Sequence, residues 1–378
     1  MQRCDVLIVG GGPAGSSCAW GLRQRGFDVV VLDRAAFPRD KICAGWITPQ
    51  ICESLEIDAA DYQKTRTLQP ITGFAVERAG DAQARVDFAE VVSYGIRRCE
   101  FDHYLLERCG AALRLEEPLL DVQREAGRFV ANGELSARFL VGAGGHFCPV
   151  ARGLGIRPGE GEPTTVVARE VEFEMSLGQQ TTCTTRPNLP ELVFERDLKG
   201  FGWVVRKGDW LNVGIGRQDQ VAFPAQVDRF LDWLAARGRI PGGTPRRLQG
   251  HAYLLYGEAP RPLAHDGVLL VGDAAGLAYG HSGEGIRPAV ESGLLAARAV
   301  GNEKNPEDAA RAYQLSVVQR FGIRHGRKRP GLTDRLPARW RGPVAGRCLA
   351  MPWFARKVVV GRWFLHRATP PLRPEEAA

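Results

Sequence analysis

Two glycine-rich stretches, each joined to a carboxylate, hold residue types that could do chemistry in this chain. In the first, Gly10-Gly11-Gly12-Pro13-Ala14-Gly15 has the spacing that lets a backbone wrap a pyrophosphate. Gly10 permits a tight turn, Gly12 removes any side chain that would hold a phosphate off, and Gly15 lets a helix lie close to a strand. Asp33 then offers a carboxylate to a ribose 2′-OH and disfavours a 2′-phosphate. In the second, Gly272-Asp273 places a carboxylate where a ribityl hydroxyl could bond, and Gly283-Glu284-Gly285-Ile286 lets backbone pass under a flat ring. A helix beginning at Ile286 would aim its positive end at that ring and favour negative charge on it. The second stretch separates FAD from NAD, and FAD is the expected cofactor.

These residues need elements to position them. Residues 4–9 are an apolar run that reads as a strand, the residues up to 25 read as a helix, and residues 29–32 as a strand ending at Asp33. Residues 266–271 read as a further strand and 286–300 as a helix of small residues. Val167, Arg169, Val171, Phe173 and Met175 alternate with Ala168, Glu170, Glu172 and Glu174, the period of a strand with one largely apolar and one acidic face. Arg169 interrupts the apolar face, which suits an edge position or a salt bridge. Residues 225–238 have helical spacing, with Gly238 as the stop.

The 378 residues suffice for two interleaved domains, and 44% hydrophobic with 25% charged residues is ordinary for a globular protein. No apolar run reaches the length of a membrane span, and the N-terminal one is too short for a signal peptide. Nine cysteines with no Cys-x-x-Cys pair argue for packed thiols in a reducing, cytoplasmic compartment and against a metal site. A net charge of +7 and a pI near 9.0 permit an anionic partner. No nucleic-acid motif accompanies that charge, so no nucleic-acid partner is expected.

The motifs Gly10-x-Gly12-x-x-Gly15 with Asp33, Gly272-Asp273 and Gly283-Glu284-Gly285-Ile286 resemble the flavoprotein superfamily of p-hydroxybenzoate hydroxylase. Within it, Pro38-Arg39-Asp40-Lys41-Ile42-Cys43-Ala44-Gly45, and Gly202-Trp203-Val204-Val205-Arg206-Lys207-Gly208-Asp209 leading to residues 212–216, resemble the geranylgeranyl reductase family. The resemblance spans residues 3 to about 325. It implies an α/β fold in which a Rossmann-like, glutathione reductase-type FAD domain is interleaved with a β-sheet substrate domain. Residues 1–75, 95–155 and 265–325 would form the first, residues 76–94 and 156–264 the second, and 326–378 a helical tail.

The resemblance also implies roles. Gly10 to Gly15 with Pro13 and Ala14, then Asp33 and Arg34, would hold the ADP half, and Arg98 in Arg-x-x-x-Asp102 would reach phosphate or ribose. Gly272 and Asp273 would hold the ribityl chain or pyrophosphate, with Gly283 to Ile286 along the pyrimidine edge. Lys41, Cys43 and Ala44 would border the ring, and Trp46, Trp203 and Tyr279 would wall an apolar substrate site. Cys43 and His281 are the candidate proton donors, set against the simpler readings of a packed thiol and a loop histidine. The implied reaction is reduction of carbon–carbon double bonds of an isoprenoid or other apolar substrate by hydride from flavin N5. NAD(P)H or another electron donor would load the flavin transiently.

Two departures keep other readings open. Where the superfamily has Gly-Ala-Asp-Gly, this chain has Gly142-Ala143-Gly144-Gly145, and the missing acid argues against an ordinary aromatic hydroxylase. Of the two halogenase tryptophans only one is kept, at Trp203. A monooxygenase or halogenase that activates dioxygen, and a flavin-binding protein without turnover, remain the alternatives. In the tail, Arg327-Lys328-Arg329 and an interleaved basic and aromatic run from Trp353 to Leu365 suit either a peripheral membrane contact or a helix covering the FAD domain.

Overall fold

The computed structural model describes residues 1–153, 155, 165–218, 223–257, 261–323 and 338–373. Arg327, Lys328 and Arg329 lie outside them. The apolar runs become strands buried on both faces, as a parallel sheet requires. Strand Gln2–Val9 lies between Leu135–Gly142 and Val29–Leu32, all parallel, and Val268–Leu270 and Ala112–Arg114 extend the sheet in parallel on either side. Antiparallel strands Ala264–His265, Arg128–Ala131 and Val122–Glu125 complete eight.

Helices Pro13–Arg23 and Ile286–Asn302 lie against each other on this sheet. A Cβ on Gly293 would stand 2.3 Å from the Ala14 carbonyl oxygen, so only glycine lets the helices come this close. Both helices begin at the same edge, the C-terminal ends of Gln2–Val9 and Val268–Leu270, where open α/β sheets bind ligands.

A second sheet has seven strands in the order Gln249–Leu254, Thr165–Glu174, Trp210–Arg217, Gly200–Lys207, Glu191–Phe194, Gly73–Arg78 and Ala84–Asp87. Helix Phe223–Ala235 covers one face by seating Val227, Leu231 and Leu234 on Val204, Leu211, Val213 and Ile215. The period-two strand forms over Thr165–Glu174 with the alternation expected. Its acidic face is not the solvent face, however: Glu170 is buried with Val166 and Ala168, while Arg169 is exposed. Half-buried Val167, Val171 and Phe173 pack towards helix Phe223–Ala235, so the side carrying Glu170 turns to the other sheet.

The tail folds as helix Ala338–Ala350 and a π-helical segment Ala355–Phe364. Its apolar residues Leu349, Val359, Val360, Phe364 and Leu365 pack on the second sheet against Phe74, Val76 and Trp203, with Trp46. The expectation of a helix over the FAD domain is met only in part: Leu349 to Leu365 pack on the seven-stranded sheet, while Trp363, His366, Thr369 and Pro370 touch His281, Tyr279 and Arg287. No helix is long and apolar enough to cross a membrane among the described residues.

Candidate active site

A cavity of about 550 Å³ runs between the two sheets, from the Gly10–Gly15 turn to the wall formed by Trp46, Phe201 and Trp203. At its first end Gly10 has φ 114°, and a Cβ there would meet the Ala143 carbonyl oxygen at 2.4 Å. Helix Pro13–Arg23 starts with no side-chain cap, so its first N–H groups remain available to an anion. The Gly11 N–H donates to Asp33 Oδ2 at 2.7 Å and the Ala35 N–H to Oδ1 at 2.9 Å. Those bonds fix the carboxylate, and each oxygen keeps a second lone pair for a ribose hydroxyl.

Cations line the middle. Arg98 grips buried Asp102 through two bonds of 2.8 Å, and Arg39 approaches the same carboxylate at 3.5 Å. Burial opposes the charge on Arg98, but Asp102 outweighs it and holds the guanidinium charged. Asp273 faces His251 at 3.6 Å, and Lys41 Nζ lies 3.0 Å from His251 Nε2. Burial pushes the pKa of Lys41 and of His251 down; for Asp273 it pushes up, but the His251 hydrogen bond and Lys41 prevail and keep the carboxylate ionised.

The far end joins a polar edge to an aromatic wall. The Cys43 N–H donates to Glu170 Oε1 at 2.6 Å, and the Gly45 N–H donates to Cys43 Sγ at 3.4 Å. Asn212 ties this loop to the sheet: its Nδ2 donates to the Cys43 carbonyl at 3.1 Å, while its Oδ1 accepts from Trp203 Nε1 at 2.7 Å. Burial raises the Cys43 thiol, so it stays protonated at neutral pH. Burial likewise raises Glu170 and Glu284 to about 7 each.

Three buried polar atoms on the cavity wall, Glu170 Oε2, Glu284 Oε2 and His146 Nδ1, have no partner. Each such orphan costs roughly 1–3 kcal/mol, so a cluster round one cavity calls for a ligand carrying donors and acceptors. A flat ring with amide groups and a hydroxylated chain meets that demand, and the glycine cradle accepts its diphosphate. The residues present therefore fit FAD.

Of the residues expected from sequence, Gly10, Gly12, Pro13, Ala14, Asp33, Arg34, Lys41, Cys43, Ala44, Arg98, Asp273 and Gly283 to Ile286 line the cavity, as do Trp46 and Trp203. Gly15 and Gly272 act from behind it. A Cβ on Gly15 would stand 1.9 Å from the Gly10 carbonyl oxygen, and the Gly272 N–H donates to Ser292 Oγ at 3.0 Å. Two expectations need correction. Tyr279 stacks on His366 at 3.6 Å, and exposed His281 stacks on Trp363 at 5.0 Å, so neither faces the cavity. The tail lies along the outer side of their loop and draws both rings outward. Sequence reasoning missed Glu170, His251, Tyr253 and His146, and only the strand alternation around Glu170 carried a signal for any of them. The departure at Gly144 has a steric basis: a Cβ there would stand 2.7 Å from Pro149 Cδ.

Comparison with known proteins agrees with this geometry. Residues 3–300 match the family described as FAD binding domain. The chain is 29% identical over 346 residues to the menaquinone reductase of Mycobacterium tuberculosis, covering 85% of this chain and 81% of that one. It is 28% identical to digeranylgeranylglycerophospholipid reductase 1 of Methanopyrus kandleri, covering 84% and 85%. Its fold is similar to that of a geranylgeranyl bacteriochlorophyll reductase-like protein from Thermoplasma acidophilum, with TM-score 0.77, 19% identity and all of both chains covered. The chain belongs to the FAD-binding domain family and is an FAD-dependent oxidoreductase similar to the geranylgeranyl reductases.

Proposed function

We propose that this protein reduces carbon–carbon double bonds of an isoprenoid or similarly apolar substrate. The observation that carries this reading is the junction at the far end of the cavity. There an aromatic wall of Trp46, Phe201 and Trp203 meets Cys43, whose thiol holds its proton at neutral pH, and Glu170, whose carboxyl titrates at about 7. An isolated double bond is a poor hydride acceptor and needs a proton at one carbon as hydride reaches the other. Bound FAD, once reduced, supplies that hydride at N5.

The chain's own residues do the rest. The turn at Gly10–Gly15, Asp33 and Arg98 anchor the cofactor, while Asn212 and Glu170 hold loop 39–45 against the substrate sheet. The aromatic side chains exclude water from the apolar end. The names of the relatives, reductases of menaquinone and of a digeranylgeranyl lipid, support the substrate class. NAD(P)H or a protein electron carrier loads the cofactor transiently. The tail presents exposed Met351 and Trp353 beside exposed Arg347, Arg356 and Lys357, a surface suited to an anionic bilayer that carries the substrate. The test is anaerobic turnover with candidate polyprenyl lipids, followed by mass spectrometry of the products. Gain of two hydrogens supports the reading, and oxygen-dependent incorporation of an oxygen atom contradicts it.

A further inference from the structure

Among the described residues, Glu170 and Glu284 are the two cavity acids that burial raises towards neutrality, and Glu170 is the one packed beside Trp203 at the apolar wall. It is 5% exposed, on strand Thr165–Glu174, and lines the cavity wall with Ala168. One carboxyl oxygen is fixed by the Cys43 N–H at 2.6 Å, and the other, Oε2, is buried without a partner. The neighbouring cation, fully buried Lys207, is taken up by Glu172 at 2.5 Å. Glu170 is left beside it as a carboxyl group with one oxygen held and one unsatisfied.

The sheet is built to accommodate it. A Cβ on Gly214, across the strand pair, would stand 2.8 Å from Glu170 Cβ and 2.2 Å from the Trp203 ring. The missing side chain lets the acid and the aromatic wall pack side by side. The other titratable groups of this region are Cys43 and Lys41 on the loop, Glu172 on the same strand, Lys207 on strand Gly200–Lys207, and His251 and Tyr253 on strand Gln249–Leu254.

We propose that Glu170 is the catalytic acid that protonates the substrate carbon, an assignment that rests on the reductase reading above. The π pair of the double bond forms a C–H bond with the Glu170 proton as hydride from the reduced cofactor bonds the other carbon. Glu170 is left as carboxylate and recovers its proton from solvent before the next turnover. One hydride and one proton are consumed for each double bond. Burial holds the acid near 7, where a general acid works best at neutral pH, while burial lifts Cys43 away from that range. In this assignment Cys43 is a positioning residue: its N–H aims the carboxyl.

The experiment compares wild type, Glu170→Gln and Cys43→Ser as FAD-loaded enzymes. Infrared titration of the wild type shows protonated carboxyl absorption, shifted in D₂O, that disappears as pH rises through about 7; Glu170→Gln loses the Glu170 share of it and keeps that of Glu284. In Glu170→Gln the amide oxygen still accepts from the Cys43 N–H, and substrate reduction falls at least about a hundredfold relative to the rate of cofactor reduction measured on the same FAD-loaded enzyme, with KM retained. Wild-type kcat declines above pH 7, and Cys43→Ser keeps that break. A Glu170→Gln enzyme with wild-type turnover, or one whose titrating absorption is undiminished, overturns the assignment. A wild type that reduces no isoprenoid overturns the underlying reading instead, so the two failures are distinct.

Discussion

Burial raises two acids on this cavity, Glu170 and Glu284, towards neutrality, and the consequence is a pH-dependent stability. Glu170 has a folded pKa near 7 against an ordinary 4.5, because burial penalises its carboxylate. The folded state therefore binds more protons than the unfolded one between those values, and stability falls as pH rises through that window. For Glu170 the loss is at most about 3 kcal/mol, and Glu170→Gln removes it. Guanidinium unfolding between pH 5 and pH 8 should show a smaller decline in the variant than in wild type; equal slopes would contradict this. Asp33 makes a second prediction. Its bonds to the Gly11 and Ala35 N–H groups fix the phosphate turn, so Asp33→Ala should weaken FAD binding by about ten- to a hundredfold, measured by fluorescence titration. Asp33 was legible in the sequence because its partners lie on the same βαβ unit, within local chain geometry. Glu170 was not, because alternation fixes two faces of a strand without saying which one meets a neighbouring sheet. His251 and Tyr253 likewise reach the cavity only through strand pairing between residues distant in the chain, Ala168 with His251 and Val166 with Tyr253.

At the scale of elements, the tail acts as a strap over the loop that carries Gly283 to Ile286. Arg287, 1% exposed, donates to the Thr369 carbonyl at 2.8 Å and the Pro370 carbonyl at 3.0 Å, and pairs with Glu291 at 2.9 Å. Arg320 binds Glu291 and the same Pro370 carbonyl at 2.6 Å each. Arg287→Ala strips these acceptors of a partner in a buried site and should cost about 3 kcal/mol. Hydrogen exchange should quicken over residues 365–372 while the parallel sheet keeps its protection; unchanged exchange in the tail would contradict the strap. The strands and the two helices of the parallel sheet were legible because uninterrupted apolar runs and glycine turns leave few alternatives. The course of the tail was not. Trp353 to Leu365 has basic and apolar residues on all sides of a π-helical segment, and its partners, Phe74 and Trp203, lie far away in sequence. Tyr279 and His281 were misplaced for that same reason.

The whole molecule combines a cavity for a charged cofactor with a basic surface. Exposed Trp353 sits among Arg347, Arg356 and Lys357, so Trp353→Ala with Lys357→Glu should lower partitioning onto anionic vesicles without altering FAD content. Deleting the tail would be a poor test, since Phe364 and Val360 belong to the core of the second sheet. The central claim joins the two sheets: one holds the cofactor, and the other brings an apolar chain and an acid to its edge. Its most direct test is a single anaerobic turnover. The purified enzyme is reduced chemically, mixed with a polyprenyl lipid, and followed by flavin absorbance and product mass. The account predicts that the flavin reoxidises without oxygen as the lipid gains two hydrogens per flavin. A flavin that stays reduced until air is admitted, with the lipid unchanged or oxygenated, would contradict it.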